Sequence, residues 1–233
     1  MQGYWRSPIF VFGLPRSGTS MVAGALGICG AWTGTTVPGV EPENPRGFFE
    51  HRALRKHVTK QILLRLGCDP LGVRKLPPVG VQVEIPELAD FIRRIIEKDG
   101  YQHDRPWLYK DAKLSLLWPI FKQAFPDATW ILVRRDPEAV AQSCLRARFM
   151  RQHSDDPGFW NRYTEEYLRR IEALQQTDAR ILEVSSQEII DGDFEGFKQV
   201  VSQTGLSCNE AELKQFVSPV YWHGERDASP RQG

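Results

Sequence analysis

The chain has 233 residues, enough to bury the core of one domain of ordinary size. Hydrophobic residues make up 41% of it and charged residues 25%, a composition typical of soluble globular proteins. Because the formal net charge is only +1, we expect no nucleic-acid partner, and attraction to an anion must come from local clusters of basic residues. We expect a single domain over residues 1–233, with a core at 8–223 and a flexible tail at 224–233.

Targeting signals and metal motifs are not evident in the sequence. No stretch approaches the roughly 20 apolar residues that span a bilayer, and the first eight residues are too short and polar for a signal peptide. The cysteines lack the paired spacing of a metal knuckle or a redox pair: Cys29, Cys68, Cys144 and Cys208. We therefore expect a cytoplasmic protein with reduced thiols, no membrane span and no bound metal.

Four short apolar runs predict buried strands, at residues 9–12, 107–109, 130–133 and 180–184. They do not alternate strictly between apolar and polar residues, and helical stretches separate them. This arrangement is typical of a parallel sheet covered on both faces. The fold class is therefore predicted as α/β, one domain with a central parallel sheet flanked by helices.

Helical patterns lie between these strands. Residues 53–66 repeat apolar positions every four residues, which predicts an amphipathic surface helix. Asp136 followed by Pro137 predicts the start of a helix that runs to about Phe149, and Asp156 with Pro157 predicts another. The second of these carries a stripe that we interpret as core packing: Trp160, Tyr163, Tyr167, Ile171 and Leu174.

Two long segments are rich in glycine and proline, residues 30–47 and 68–86. Loops of this length in a compact domain are typically lids or binding loops. We expect them to shape a ligand pocket.

The segment GLPRSGTS, residues 13–20, follows the first predicted strand and leads into a helix. Such a junction directs backbone N–H groups and the positive end of the helix dipole at an anion. Gly13, Gly18 and Ser20 match the Walker phosphate-loop pattern, but Thr19 stands where that pattern has lysine. The cation lies inside the loop instead, at Arg16, which favours a donor less charged than a nucleoside triphosphate with magnesium.

The extended segment GLPRSGTSMV resembles the 5′-phosphosulfate-binding loop of sulfotransferases that use 3′-phosphoadenosine 5′-phosphosulfate (PAPS). The resemblance covers most of residues 9–223 and implies a P-loop-like fold with PAPS as co-substrate and no metal. It also implies that the donor is held by Pro15, Arg16, Ser17, Gly18, Thr19 and Ser20, with Arg16 balancing the charge of the 5′-phosphosulfate.

A second motif of that family is present in WILVRRDPEAVAQS. Arg135 ends a predicted strand and Ser143 follows eight residues later, about two turns up the next helix. The resemblance implies that both bind the 3′-phosphate of the donor. Arg134 is the alternative, since neighbouring strand residues face opposite ways.

The middle of the chain resembles bacterial-type members of the family, in which a strand ends in Lys-Asp. The implied role of Lys110 is to stabilise charge on the bridging or sulfuryl oxygens, at the carboxyl edge of the sheet. Lys113, one turn further on, is the alternative.

The general base is predicted from the segment ENPRGFFE, which resembles a glutamate-containing segment of bacterial-type members. Glu50, at a predicted helix start beside two phenylalanines, is the first choice, and partial burial would raise its pKa. Glu43 and His51 are the alternatives. The Lys-x-His motif and the C-terminal Arg-Lys-Gly stretch of the cytosolic branch are absent, and Met21 replaces its adenine-stacking tryptophan.

The sequence thus predicts a PAPS-dependent sulfotransferase that acts on a hydroxyl or amine acceptor. Small-molecule, carbohydrate and lipid hydroxyls are all compatible with it. Two alternatives are a P-loop kinase of a small molecule and a nucleotide-binding module without catalysis.

Overall fold

A four-stranded parallel sheet forms the centre of the protein, whose computed structural model describes residues 6–41 and 44–217. The strands are β1 (Ile9–Gly13), β2 (Leu108–Lys110), β3 (Thr129–Arg134) and β4 (Arg180–Ser185). Each lies within two residues of a predicted strand, so the predicted α/β class with a parallel sheet is confirmed. The predicted tail at 224–233 lies outside the described residues.

The strand order is β2-β1-β3-β4, so the chain moves to one side of β1 and then returns to the other. In open α/β sheets, ligands bind where the strand order reverses, outside the carboxyl ends of the strands. In this sheet the reversal lies between β1 and β3, which pair from Ile9 with Thr129 to Gly13 with Val133. The segments that leave these two strands therefore flank the expected binding crevice.

Helices cover both faces of the sheet. They are α1 (Thr19–Ile28), α2 (Arg52–Leu54), α3 (Lys60–Arg65), α4 (Leu88–Lys98), α5 (Leu114–Ala124), α6 (Pro137–Arg146), α7 (Arg148–Arg151), α8 (Pro157–Gln175), α9 (Ser186–Ile190), α10 (Glu195–Gln203) and α11 (Glu210–Phe216). Strand side chains alternate between the faces. Phe10 and Phe12 pack with the apolar residues of α3, α4, α5 and α8, whereas Ile9 and Val11 pack with those of α1, α10 and α11.

The predicted helix starts of α6 and α8 are confirmed by their caps. Asp136 Oδ1 accepts from the Ala139 N–H at 2.8 Å, and Asp156 accepts from the Gly158 and Phe159 N–H groups. Proline occupies the first turn of both helices, where its missing N–H costs nothing. The apolar stripe of α8 is buried as predicted.

Two helix predictions need correction. The stretch 53–66 is helical but not one regular α-helix, because a π-helical turn, Arg55–Thr59, separates α2 from α3. In this turn the Thr59 Oγ1 lies 3.2 Å from the Arg55 carbonyl oxygen. The helix that begins at Pro137 ends at Arg146, not near Phe149, because Ala147 adopts an extended conformation with ψ of 116° before α7 begins.

The cysteine prediction is wrong for one pair. Cys29 and Cys208 form a disulfide with their Cα atoms 4.2 Å apart, whereas Cys68 and Cys144 are buried thiols. The pair is 179 residues apart in sequence and meets because α11 packs against α1. The expectation of a cytoplasmic location rested in part on four reduced thiols, and the disulfide removes that part of its basis. In the described part of the chain, no helix has both the length and the apolar character needed to cross a bilayer.

Candidate active site

The loop between β1 and α1 has a backbone path that requires glycine at two positions. Gly18 precedes α1 with φ of +92°, and a Cβ there would lie 2.7 Å from the Ser186 Cβ. A Cβ on Gly13 would lie 2.7 Å from the Val133 carbonyl oxygen of β3. Side chains larger than hydrogen would therefore push this loop away from both neighbouring strand ends.

A cavity of about 380 Å³ opens beside this loop, within the roughly 300–1,000 Å³ of typical ligand pockets. Its lining residues in the first loop are Pro15, Arg16, Gly18, Thr19 and Ser20. Ser17 lies beneath the loop, fully buried, and its Oγ has no hydrogen-bond partner among the described residues. Five of the six residues predicted for this loop thus face a common space.

The loops after β1 and β3 meet at the cavity. Arg135 donates from Nη1 to the Arg16 carbonyl at 2.9 Å, and Arg16 donates from Nε to the Ser143 Oγ at 3.2 Å. Arg16, Arg135 and Ser143 all line the cavity. The two predicted anion-binding segments therefore lie side by side, although 119 residues separate Arg16 from Arg135 in sequence.

Arg134 and Arg135 have different surroundings, which distinguishes the two candidates for the second segment. Arg134 makes a bidentate ion pair with Glu183 of β4, at 2.9 and 2.8 Å. Arg135 lines the cavity beside Arg16. The geometry favours Arg135 as the residue available to a ligand.

Lys110 is the last residue of β2, and its ammonium group lies beside the start of α1. Its Nζ lies 3.1 Å from Ser20 Oγ, 3.1 Å from the Phe48 carbonyl oxygen and 3.2 Å from Glu50 Oε1. The residue is only 4% exposed and lines the cavity. The neighbouring strand thus places a lysine beside the loop that has Thr19 instead of lysine.

Glu50 lies between two cations. Its Oε1 faces Lys110, and its Oε2 is 2.7 Å from Arg55 Nε. The residue precedes α2, whose N-cap is His51, and its carbonyl accepts from the Val37 N–H at 2.8 Å. The carboxylate therefore lines the cavity in an orientation fixed from both sides.

Lys113 lines the same cavity, but its ammonium group forms an ion pair with the buried Asp111. Its Nζ lies 2.7 Å from Asp111 Oδ1, and Asp111 is fully buried and accepts from the hydroxyls of Thr59 and Tyr109. Burial would lower the pKa of Lys113, but the Asp111 and Glu50 carboxylates outweigh burial and raise it. Burial would likewise raise the pKa of Asp111, but Lys113 holds it below its usual value. This ion pair fixes the end of β2.

The alternative bases are placed differently. His51 is buried, with Nδ1 accepting from the Leu54 N–H at 3.3 Å and Nε2 lying 3.2 Å from Asp99 Oδ2. Burial lowers the pKa of His51, although Asp99 opposes the shift. These contacts give His51 a role in holding α2 and α4 together. Glu43 lies outside the described residues.

Several cavity residues were missed by sequence analysis. Arg55 looked like one of several basic residues on an exposed helix face, but it begins the π-helical turn and lies 2.7 Å from Glu50. Tyr163 and Tyr167 were interpreted as core, and they are both buried and part of the cavity wall. Asn44, Leu71 and Val73 lie in the two segments rich in glycine and proline that were expected to shape a pocket. The others are supplied by loops and helix ends: Phe48, Ala112, Phe149, Met150, Gln152, His153, Ser186 and Ile190.

The charges around the cavity favour an anionic ligand. The described residues that line it include a single carboxylate, Glu50, and these lysines and arginines: Arg16, Arg55, Lys110, Lys113 and Arg135. A cavity of this sign raises the local concentration of anions. No cluster of three or more metal-ligating side chains occurs in the described ranges.

A parallel sheet with a glycine-containing strand-to-helix loop at its switch point, and a cationic cavity beside that loop, defines an α/β protein of the P-loop-like class. The chain belongs to the sulfotransferase family, whose model matches residues 8–210.

Solved bacterial sulfotransferases have a similar fold. STF9 from Mycobacterium avium aligns with a TM-score of 0.58 and 14% identity, over 93% of this chain and 69% of that chain. The sulfotransferase domain from the curacin biosynthetic pathway aligns with a TM-score of 0.54 and 14% identity, over 97% of this chain and 81% of that chain. STF1 from Mycobacterium tuberculosis aligns with a TM-score of 0.50 and 17% identity, over 91% of this chain and 70% of that chain. At these identities the likeness shows the fold alone. No curated protein matches the chain.

Proposed function

We propose that this protein transfers a sulfuryl group from PAPS to a hydroxyl or amine acceptor. The observation that carries the proposal is the contact between the two anion-binding segments, in which Arg135 reaches the Arg16 carbonyl and Arg16 reaches Ser143. A ligand with two separate anionic groups fits such a pair of adjacent sites, and PAPS has a 5′-phosphosulfate and a 3′-phosphate.

The residues present suit this donor. Residues 13–20 would hold the 5′-phosphosulfate through backbone N–H groups and the hydroxyls of Thr19 and Ser20, in a loop where Gly18 leaves no space for a Cβ. Arg135 and Ser143 would hold the 3′-phosphate, since a guanidinium fork suits a phosphate dianion. PAPS itself supplies an activated sulfuryl group joined to a phosphate leaving group.

Two cavity side chains would act on the reacting atoms. Glu50 would accept the proton of the acceptor oxygen or nitrogen as that atom bonds to sulfur and the bond from sulfur to the bridging oxygen breaks. Lys110 would stabilise the negative charge that collects on the phosphate oxygen. Because Lys110 and Arg55 both contact Glu50, they also orient its carboxylate toward the cavity.

The experiment compares ligands by calorimetric titration. We expect 3′,5′-adenosine bisphosphate to bind at least tenfold more tightly than ATP, with or without magnesium. Incubation with ³⁵S-labelled PAPS and a broad acceptor set should then yield labelled product that persists in EDTA, because the cavity supplies its cations from side chains. Preference for ATP with magnesium would favour the kinase alternative. Tight binding of the bisphosphate without any transfer would favour a non-catalytic module.

A further inference from the structure

The cavity runs along the carboxyl edge of the sheet past three strands. Arg135 follows β3, residues 15–20 follow β1, and Lys110 ends β2. Neighbouring strands are about 4.8 Å apart, so the β3 and β2 ends of the cavity are separated by roughly 10 Å. In the proposed function the 3′-phosphate lies at the β3 end, so the acceptor must approach at the β2 end, beside Lys110 and Glu50.

The wall at the β2 end is largely apolar. We call the region formed by Phe48, Leu71, Val73 and Tyr167 the acceptor pocket. The loop that carries Leu71 and Val73 is fixed to α8, because the Tyr167 hydroxyl donates to the Gly72 carbonyl at 2.9 Å. It also packs on Lys113, since a Cβ on Gly72 would lie 3.1 Å from the Lys113 Cγ.

Three of the polar side chains beside the acceptor pocket already have protein partners. Lys113 is paired with Asp111, Arg55 with Glu50, and the Tyr167 hydroxyl with Gly72. A polyhydroxylated ligand would bring many groups that lose water and find few new partners, which is unfavourable. An apolar ligand with one hydroxyl group would lose only the hydration of its apolar surface, which favours binding.

We infer that the acceptor is a small alcohol or phenol with an apolar or aromatic body, and not a carbohydrate. The inference rests on the proposed function, which places the reacting group of the donor beside Lys110 and Glu50. The apolar body lies against Phe48, Leu71 and Val73, while the single hydroxyl faces the Glu50 carboxylate.

Binding of the acceptor is tested on the complex with 3′,5′-adenosine bisphosphate, so that no turnover is needed. Titration of that complex should show saturable binding of 2-naphthol and no binding of glucose at the same concentrations. In transfer assays with PAPS, kcat/KM for 2-naphthol should exceed that for glucose at least 100-fold. Equal or better binding and transfer with glucose, or no binding of 2-naphthol, would overturn the inference.

Leu71→Ser tests the pocket wall without disturbing the core, because Leu71 is 43% exposed at the cavity mouth. We expect KM for 2-naphthol to rise about fivefold, the effect of losing part of one leucine contact. Val79→Ser is the matched control, since Val79 is 46% exposed in the same segment but lies outside the lining residues described above. Equal KM values in the two variants would contradict the pocket assignment.

The two proposals fail in different ways. If the protein does not bind 3′,5′-adenosine bisphosphate, the proposed function is wrong and the acceptor inference falls with it. If the bisphosphate binds and glucose is the better acceptor, only the acceptor inference is wrong.

Discussion

Two adjacent arginines at the end of β3 show how one residue position decides between structure and binding. Arg134 is paired with Glu183 of the neighbouring strand, and Arg135 donates to the Arg16 carbonyl in the loop after β1. Arg134 is the last residue of β3 and pairs with a side chain of β4, whereas Arg135 lies beyond the strand and lines the cavity. Binding of a 3′-phosphate should therefore depend on Arg135 and hardly on Arg134.

Arg135→Ala should weaken the binding of 3′,5′-adenosine bisphosphate by about 1.5–3 kcal/mol, the contribution of a hydrogen bond to a charged group. Adenosine 5′-phosphosulfate lacks the 3′-phosphate, so its affinity should change much less. Calorimetric titration of both ligands measures the difference, with Arg134→Ala as the control. Equal losses for the two ligands would show that Arg135 does not bind the 3′-phosphate.

Glu50→Gln should slow turnover by about 100-fold or more, because an amide cannot take up the acceptor proton. The affinity for 3′,5′-adenosine bisphosphate should stay within about twofold, since the substitution preserves the shape of the side chain. Single-turnover transfer from PAPS measures the chemical step. Glu41→Gln, on an exposed part of the same loop, is the control. A normal rate in Glu50→Gln would assign the proton to another residue.

At the scale of helices and strands, local signals were predictable and long-range contacts were not. Asp136 and Asp156 predict the starts of their helices, because a capping side chain bonds to backbone N–H groups within three residues of it. The contacts of Lys110 with Ser20 and Glu50 join residues 90 and 60 positions apart, and no local pattern reports them. The break at Ala147 and the π-helical turn at Arg55 likewise depend on tertiary packing that overrides helix propensity.

The contact of α2 with α4 predicts a dependence of stability on pH. Burial lowers the pKa of folded His51, so the unfolded chain binds a proton more readily than the folded one. The stability contributed by His51 is complete above about pH 6.5 and is lost as the pH falls from there through the lower pKa of the folded state. Urea unfolding at pH 7.5 and 5.5 measures this loss.

His51→Asn is the comparison for that measurement, because asparagine can still accept from the Leu54 N–H as a helix cap. The variant should lose less stability than the unmodified chain between the two pH values. An identical loss in both proteins would place the titrating group elsewhere.

The disulfide is the other link between elements, and it ties α1 to the start of α11. Cys29→Ser should lower the free energy of unfolding by about 2–5 kcal/mol, because the bond closes a loop of 179 residues in the unfolded chain. Urea unfolding without reductant measures this effect. Addition of dithiothreitol should bring the unmodified protein to the level of the variant. A Cys68→Ala variant, which keeps the disulfide, should retain its response to dithiothreitol, and a response lost there would contradict the assignment.

At the scale of the whole molecule, the sheet order explains why the site lies where it does. The segments after β1 and β3 diverge at the reversal of strand order, and the cavity opens between them. The two motifs predicted from sequence meet there because each follows a strand of the same parallel sheet. The segment that carries Leu71 was expected to shape a pocket, whereas the position of Phe149 was not predictable, since it depends on the break at Ala147 between α6 and α7.

The Cys29–Cys208 bond also changes what a protease would release from this molecule. A single cut in the long segment at residues 68–86 divides the backbone, but one fragment carries Cys29 and the other Cys208. The nicked protein should migrate as one band on a non-reducing gel and as two bands once the bond is reduced. Both halves of the cavity wall would remain covalently attached after such a cut.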